Sequence, residues 1–290
     1  MWTGSAGAGT TATRVLGQPD FTHNATTTLS AGSLNFPGNH GSGAVVVDVI
    51  NDHVYVADTG NNRVLGWASL SALTTGKFPD IVIGQLDFES SVAGTSSTRL
   101  SSPNGVAVDA AGDVYVADTG NSHVLEFPNP FTSFNNDGQF SNFAASVVLG
   151  QVGNFTSGSR DVDTGSPDSE TLCSPQGVAV DGDNNVWVTD TGNNRVVEYS
   201  GPVTADSFYA DLVFGQLGSF SSKTANNGGI SKNSLNQPNG GRRPRKSLRG
   251  RFEQQPRAGI HHAALGDSRH WKRRHDGRRG MGPSRQLHHL

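Results

Sequence analysis

The chain has 290 residues, a single cysteine, and 22 Lys+Arg against 25 Asp+Glu, for a net charge of −3. One cysteine excludes an intramolecular disulfide and a thiolate-built zinc cluster, and no apolar run reaches the ~20 residues that a membrane-spanning helix needs. The small net charge conceals a division: residues 241–290 hold 14 of the cations and 3 of the acids, a balance of +11, which leaves residues 1–240 at −14.

The opening "MWTGSAGAGTTATRV" lacks the basic start and apolar centre of a secretory signal and reads as the interior of something longer. It runs into "VLGQ", Val15 to Gln18, and residues 12–18 read as a closing strand. The same tetrad returns as "VIGQ" at Val82–Gln85, "VLGQ" at Val148–Gln151 and "VFGQ" at Val213–Gln216, with the four glutamines 67, 66 and 65 residues apart. These marks divide the chain into units over about 19–85, 86–151 and 152–216 and a partial fourth over 217–240. The second unit predicts strands at Val106–Asp109, Val114–Asp118, His123–Phe127 and Ser146–Gln151, because valine alternates with small or polar residues between turn-forming stretches. The turns contain glycines expected at positive φ, so each unit is a four-stranded antiparallel meander. Val106, Val108, Tyr115 and Val116 should pack on its faces, each buried valine contributing about 1.5–3 kcal/mol. A lone sheet of this size cannot bury both faces, so the units must stack radially or in line, and the fold class is all-β.

The stretches "PNGVAVDAAGDVYVADTGNSHV", Pro103 to Val124, and "PQGVAVDGDNNVWVTDTGNNRV", Pro175 to Val196, resemble the NHL repeat. The first unit departs from the pattern through extra residues between Pro37 and its first strand, although "VYVADTGNNRV", Val54 to Val64, is intact. The resemblance covers about residues 15–216. It implies an incomplete β-propeller of three full four-stranded blades and part of a fourth, within a secreted or periplasmic bacterial protein. It also implies that the long connections after each "GQ" and the "DTGNNR" turns share one face, crowned by polar loops of the length that is often functional.

Asp58, Asp118 and Asp190 end the second strands, with Arg63, His123 and Arg195 five residues later. A charged ring binding a ligand is one reading. A turn carboxylate bonding its own backbone and pairing with the cation is the other, favoured because folding demands repetition in every unit. Asp48, Asp109 and Asp181 end the first strands and are weak candidates for holding Ca2+ or another divalent cation, against an ordinary role in initiating turns. His23, His40, His53 and His123 occupy unlike positions in their units, and no catalytic triad can be argued from spacing. Cys173 reads as a small apolar filler at a strand entrance. Phe21, Phe88, Phe155 and Phe220 follow their glutamines by three or four places, either as a ligand platform or as pins holding each loop to its sheet.

The expected function is a non-catalytic binding or scaffold module that takes a protein, peptide or carbohydrate on the loop face, with no cofactor and no membrane role. Two alternatives follow from the resemblance: a metal-dependent lyase or lactonase using the propeller channel, and an RNA-binding propeller. The −14 balance opposes the second, since phosphate contacts need local positive charge. The tail is a separate matter. "LNQPNG", Leu235 to Gly240, should continue into "VAVD" but meets Arg242 and Arg243. A permitted codon choice for Ser247–His262, read one base later, gives "LYVADSNNSRVLEYT", so residues 241–290 are expected to be a frameshifted blade and a disordered basic tail rather than a nucleic-acid arm.

Overall fold

Alternation of apolar and polar side chains puts two distinct faces on each predicted strand, and the architecture follows from how those faces are covered. The computed structural model describes residues 11–23, 28–37, 43–132, 143–161, 165–207 and 209–240. All belong to the first of two units, Met1–Phe252; the second, Glu253–Leu290, and every expectation for 241–290 lie outside the described residues.

The first sheet comprises β1 (Val45–Asp48), β2 (His53–Asp58), β3 (Arg63–Trp67) and β4 (Ile81–Ile83). The second comprises β5 (Pro103–Val108), β6 (Val114–Asp118), β7 (His123–Phe127) and β8 (Val147–Leu149). The third comprises β9 (Gly177–Val180), β10 (Val186–Asp190), β11 (Arg195–Tyr199) and β12 (Leu212–Phe214). Each is an antiparallel meander in strand order, with equivalent registers such as Asp58 opposite Arg63, Asp118 opposite His123 and Asp190 opposite Arg195. Val106, Val108, Tyr115 and Val116 are all buried, as the alternation requires.

The sheets stack face to face. Tyr55, Ala57, Val64, Ile81 and Ile83 of the first interleave with Val106, Val108, Val116 and Leu125 of the second. Tyr115, Ala117, Val124 and Leu149 then pack on Val178, Val188, Val197 and Tyr199 of the third. The first strands adjoin one another, linked by the Ala44 N–H to the Asn104 carbonyl at 3.0 Å. Short outer strands lie at the other side of each sheet. The chain is therefore an all-β, incomplete β-propeller, with three full blades and the entrance to a fourth.

Three expectations change in detail. Residues 12–18 form no strand, because a closing strand needs the third strand of its own sheet as partner and none of the described sheets has that position open. The first and last strands stop early: Asp109 leaves its ladder to accept turn N–H groups, and Gly150, at φ 90°, ends β8 before Gln151. Positive φ in the second hairpin turn belongs to Asn62, Ser122 and Asn194 rather than to glycine. Gly120 is required there for close approach instead, since a Cβ would stand 2.6 Å from the Ser101 carbonyl oxygen.

Candidate functional site

The hairpin turn after each second strand tightens into one 3-10 turn, at Thr59–Asn61, Thr119–Asn121 and Thr191–Asn193. This geometry aims the preceding carboxylate inward, where Asp58, Asp118 and Asp190 are fully buried. Their Oδ1 atoms accept the backbone N–H of Asn35, Ser101 and Cys173 at 2.6, 2.7 and 2.7 Å, at the entrances to the first strands. Their Oδ2 atoms accept the side-chain amide of Asn61, Asn121 and Asn193 at 2.9, 2.7 and 2.9 Å. Arg63 and Arg195 add Nε bonds to the same oxygens, both at 2.7 Å.

Each guanidinium then uses its remaining donors on loops. Arg63 donates to the carbonyls of Phe88, Ser30 and Ser33, and Arg195 to those of Phe220 and Thr171. A planar fork with five donors suits a corner where a hairpin meets the loop before it and the loop after it. Burial pushes the Asp190 carboxyl up, while the Arg195 guanidinium and the Cys173 and Asn193 donors pull it back. These six positions come together as three separate loop anchors, and neither Arg63 nor Arg195 faces solvent.

The glutamines that mark the repeat complete each anchor, a role the sequence reading did not assign. Gln85 Nε2 donates to the Asn62 and Val92 carbonyls at 2.8 and 3.1 Å, and Gln151 Nε2 to those of Ser122 and Ser159 at 3.0 and 2.8 Å. Gln216 repeats the arrangement on Asn194 and Thr224. Recurrence at near-constant spacing was the available signal. The DTGNNR turns and the long loops thus share one face.

The second blade has a weaker anchor. His123 Nε2 pairs with Asp118 Oδ2 at 2.9 Å, but its buried Nδ1 finds no partner among the described residues and the ring cannot fork to two loops. We expect His123→Arg to raise stability by about 1–3 kcal/mol through added carbonyl bonds. A thermal unfolding midpoint at or below that of the parent would contradict this.

Asp48, Asp109 and Asp181 sit in the first turn of each sheet. Asp48 Oδ1 accepts the Ile50 and Asn51 N–H groups, Asp109 Oδ1 those of Ala111 and Asp113, and Asp181 Oδ1 those of Asp183 and Asn185. The polar tips of strand-two aromatics reach the same acids, Tyr115 OH to Asp109 at 3.4 Å and Trp187 Nε1 to Asp181 at 3.2 Å. Among the described residues no three His, Cys, Asp or Glu side chains converge as metal ligands. The cleft between the first strands is lined by Val45, Val46, Val106, Ala107, Val108, Val178, Ala179 and Val180. His23 is exposed on Asp20, His53 packs on Phe131 with ring centroids 4.1 Å apart, and His40 lies outside the described residues.

Phe88 is 7% exposed in the core of the first blade, and Phe155 and Phe220 pack against the next two cores. Phe21, at 56% exposed, has the same sequence context without a described sheet beneath it. Cys173 is buried at its strand entrance, where burial pushes its thiol up.

One titratable group was not foreseen. Glu126, opposite Tyr115, has its carboxyl pushed up to about 7 by burial, then by the charges of Asp113 and Asp109. An unfolded Glu ionises near 4.5, so between about 4.5 and 7 the native state binds the extra proton. Stability is then greatest below that window and falls as pH rises through it. Glu126→Gln should remove this slope and stabilise at pH 8 by on the order of 1 kcal/mol, discounted for partial exposure. Parallel pH–stability profiles for variant and parent would refute it.

The NHL repeat family model matches residues 100–127 and 172–199, each match running from a strand entrance to the end of a third strand. No curated protein matches this chain. Among solved structures, this chain is similar to the nidogen/laminin complex at 15% identity and TM-score 0.36, covering 60% of this chain and 47% of that one. It is similar to virginiamycin B lyase from Staphylococcus aureus at 14% identity and TM-score 0.30, covering 56% and 41%. Kuenenia stuttgartiensis hydrazine synthase gives 9% identity and TM-score 0.36 over 71% and 41%. This chain spans less than half the length of each of these structures. Among the described residues no helix is long and apolar enough to cross a membrane.

Proposed function

We propose that the chain is a non-catalytic binding or scaffold module whose loop face takes a protein, peptide or carbohydrate partner. The observation that supports this most is the burial of Arg63 and Arg195 with their carboxylates inside loop anchors. Recurrent charge holds loops in place, while the cleft between first strands offers only apolar side chains. The loops so held expose apolar tips among polar and acidic residues such as Asp87 and Glu89, including Leu86 at 52% and Val92 at 72%. Anchored loops present such groups with less ordering entropy lost on association.

The full chain, screened on oligosaccharide and peptide arrays, should retain a ligand whose affinity falls at least about tenfold in Leu86→Asp/Val92→Asp, the loss of a contact near 1.4 kcal/mol. Its unfolding midpoint should not move. Stoichiometric divalent metal, with turnover abolished by a chelator, would replace this reading with a lyase or lactonase; salt-sensitive RNA retention would replace it with RNA binding.

A further inference from the structure

Blades one and two each seat the next sheet on the same face, and blade three presents that face again. In blade two it consists of Tyr115, Val124, Val147 and Leu149, all buried against the third sheet. Their counterparts are Trp187, Val196, Leu212 and Phe214. Trp187 and Phe214 stack with ring centroids 5.6 Å apart, and both are only half-buried. Leu212 is 43% exposed, where Val147 is 3% exposed. Trp187, Val196 and Leu212 each keep part of their surface exposed.

The chain approaches it in the register used twice before. Asn194 Oδ1 accepts the Gln237 N–H at 2.8 Å, as Asn62 Oδ1 accepts the Ser102 N–H at 2.7 Å. Thr191 Oγ1 donates to the Pro238 carbonyl at 2.7 Å, as Thr119 Oγ1 donates to that of Pro175 at 2.6 Å. Leu235 packs over Gly215 as Leu172 does over Gly150. Gln237 repeats the left-handed φ of Ser102 and Ser174, at 44°, 49° and 48°. Pro238 therefore stands where Pro103 and Pro175 stand at the start of the two preceding sheets.

We infer that this face is the seat of a fourth four-stranded sheet of the same repeat, entered directly after Gly240 and encoded one base out of register by the codons for 241–290. The shifted string "LYVADSNNSRVLEYT" carries more than strand-like alternation. It holds an Asp, an Asn three residues later and an Arg five residues later, the set that forms the buried anchor around Asp58, Asn61 and Arg63. Its Tyr takes the place of Tyr115 and Trp187. It departs from the three blades with Leu where they have Val54, Val114 and Val186, with Ser where they have Thr59, Thr119 and Thr191, and with Asn where Gly60, Gly120 and Gly192 approach the preceding entrance.

Two measurements test the inference, and the first does not depend on folding. Sequencing the gene across Ser247–His262 should show codons whose next frame reads Val-Ala-Asp and Arg-Val-Leu-Glu; codons that interrupt this string overturn the proposal. The second compares the chain as written with a frame-corrected chain, both carrying Cys173→Ser and Leu212→Cys. Maleimide should label the introduced thiol in the chain as written and at least about tenfold more slowly in the corrected one, while Val92→Cys labels equally in both. Equal labelling at Leu212→Cys overturns the seat. Protection in the chain as written that grows with protein concentration assigns the face to a second copy and overturns it as well.

Discussion

Arg63→Ala lowers the unfolding free energy by about 3–5 kcal/mol, the cost of breaking a buried ion pair from one side. Asp58 would keep its charge in a site without solvent, and the carbonyls of Phe88, Ser30 and Ser33 would lose their common donor. Arg195→Ala should behave alike, because Asp190 and the Phe220 and Thr171 carbonyls stand in the same relation. The double variant Asp58→Leu/Arg63→Met should cost less than Arg63→Ala, since it removes the stranded charge along with its partner. Denaturant titration reads all three, and a loss below about 1 kcal/mol for both arginine variants would show that the anchors are not what hold the loops. A single turn bond would set the cost of Asp118→Ala at about 1–2 kcal/mol. That carboxylate accepts bonds from Ser101, Asn121 and His123, so its loss should exceed that range.

Gly105→Ala destabilises by about 1–3 kcal/mol or more, through forced separation of two sheets rather than through backbone strain. A Cβ on Gly105 would lie 2.9 Å from each of the Gln176 carbonyl oxygen, the Gly177 Cα and the Val178 nitrogen. All three are main-chain atoms of the neighbouring first strand or its entrance, and they cannot rotate away. Gly182→Ala is the control, because a Cβ there meets nothing within 4 Å and reduces only the freedom of the unfolded chain. Chemical unfolding should separate the two variants; equal stability would show that the first strands are free to shift apart.

Much of this molecule is legible in its sequence because strand formation depends on near neighbours. The alternation in "VYVADTGNSHVLEF" places Val114, Val116, Leu125 and Phe127 on one face whatever lies beyond, and near-constant spacing of "GQ" divides the chain into units. The anchors were half legible. The pairing of Asp58 with Arg63 spans a single hairpin, so spacing predicts it. Its bonds to Asn35 and Phe88 cross 23 and 25 residues of loop and exist only once the sheets are stacked.

The sequence by itself determined the repeat, the strands and the local Asp–Arg or Asp–His pairs, since each rests on contacts within about a hairpin's reach. Tertiary structure alone decided the clamp made by Gln151, whose acceptors are loop carbonyls brought together by folding. It alone decided that Phe88 is core while Phe21, with the same neighbours in sequence, stays exposed. It also withheld a strand from residues 12–18, although Val15–Gln18 repeat the motif at the end of every other sheet. The reason is common to all three: a side chain or a strand edge is satisfied by whatever packs against it, and that partner is set in place only by folding.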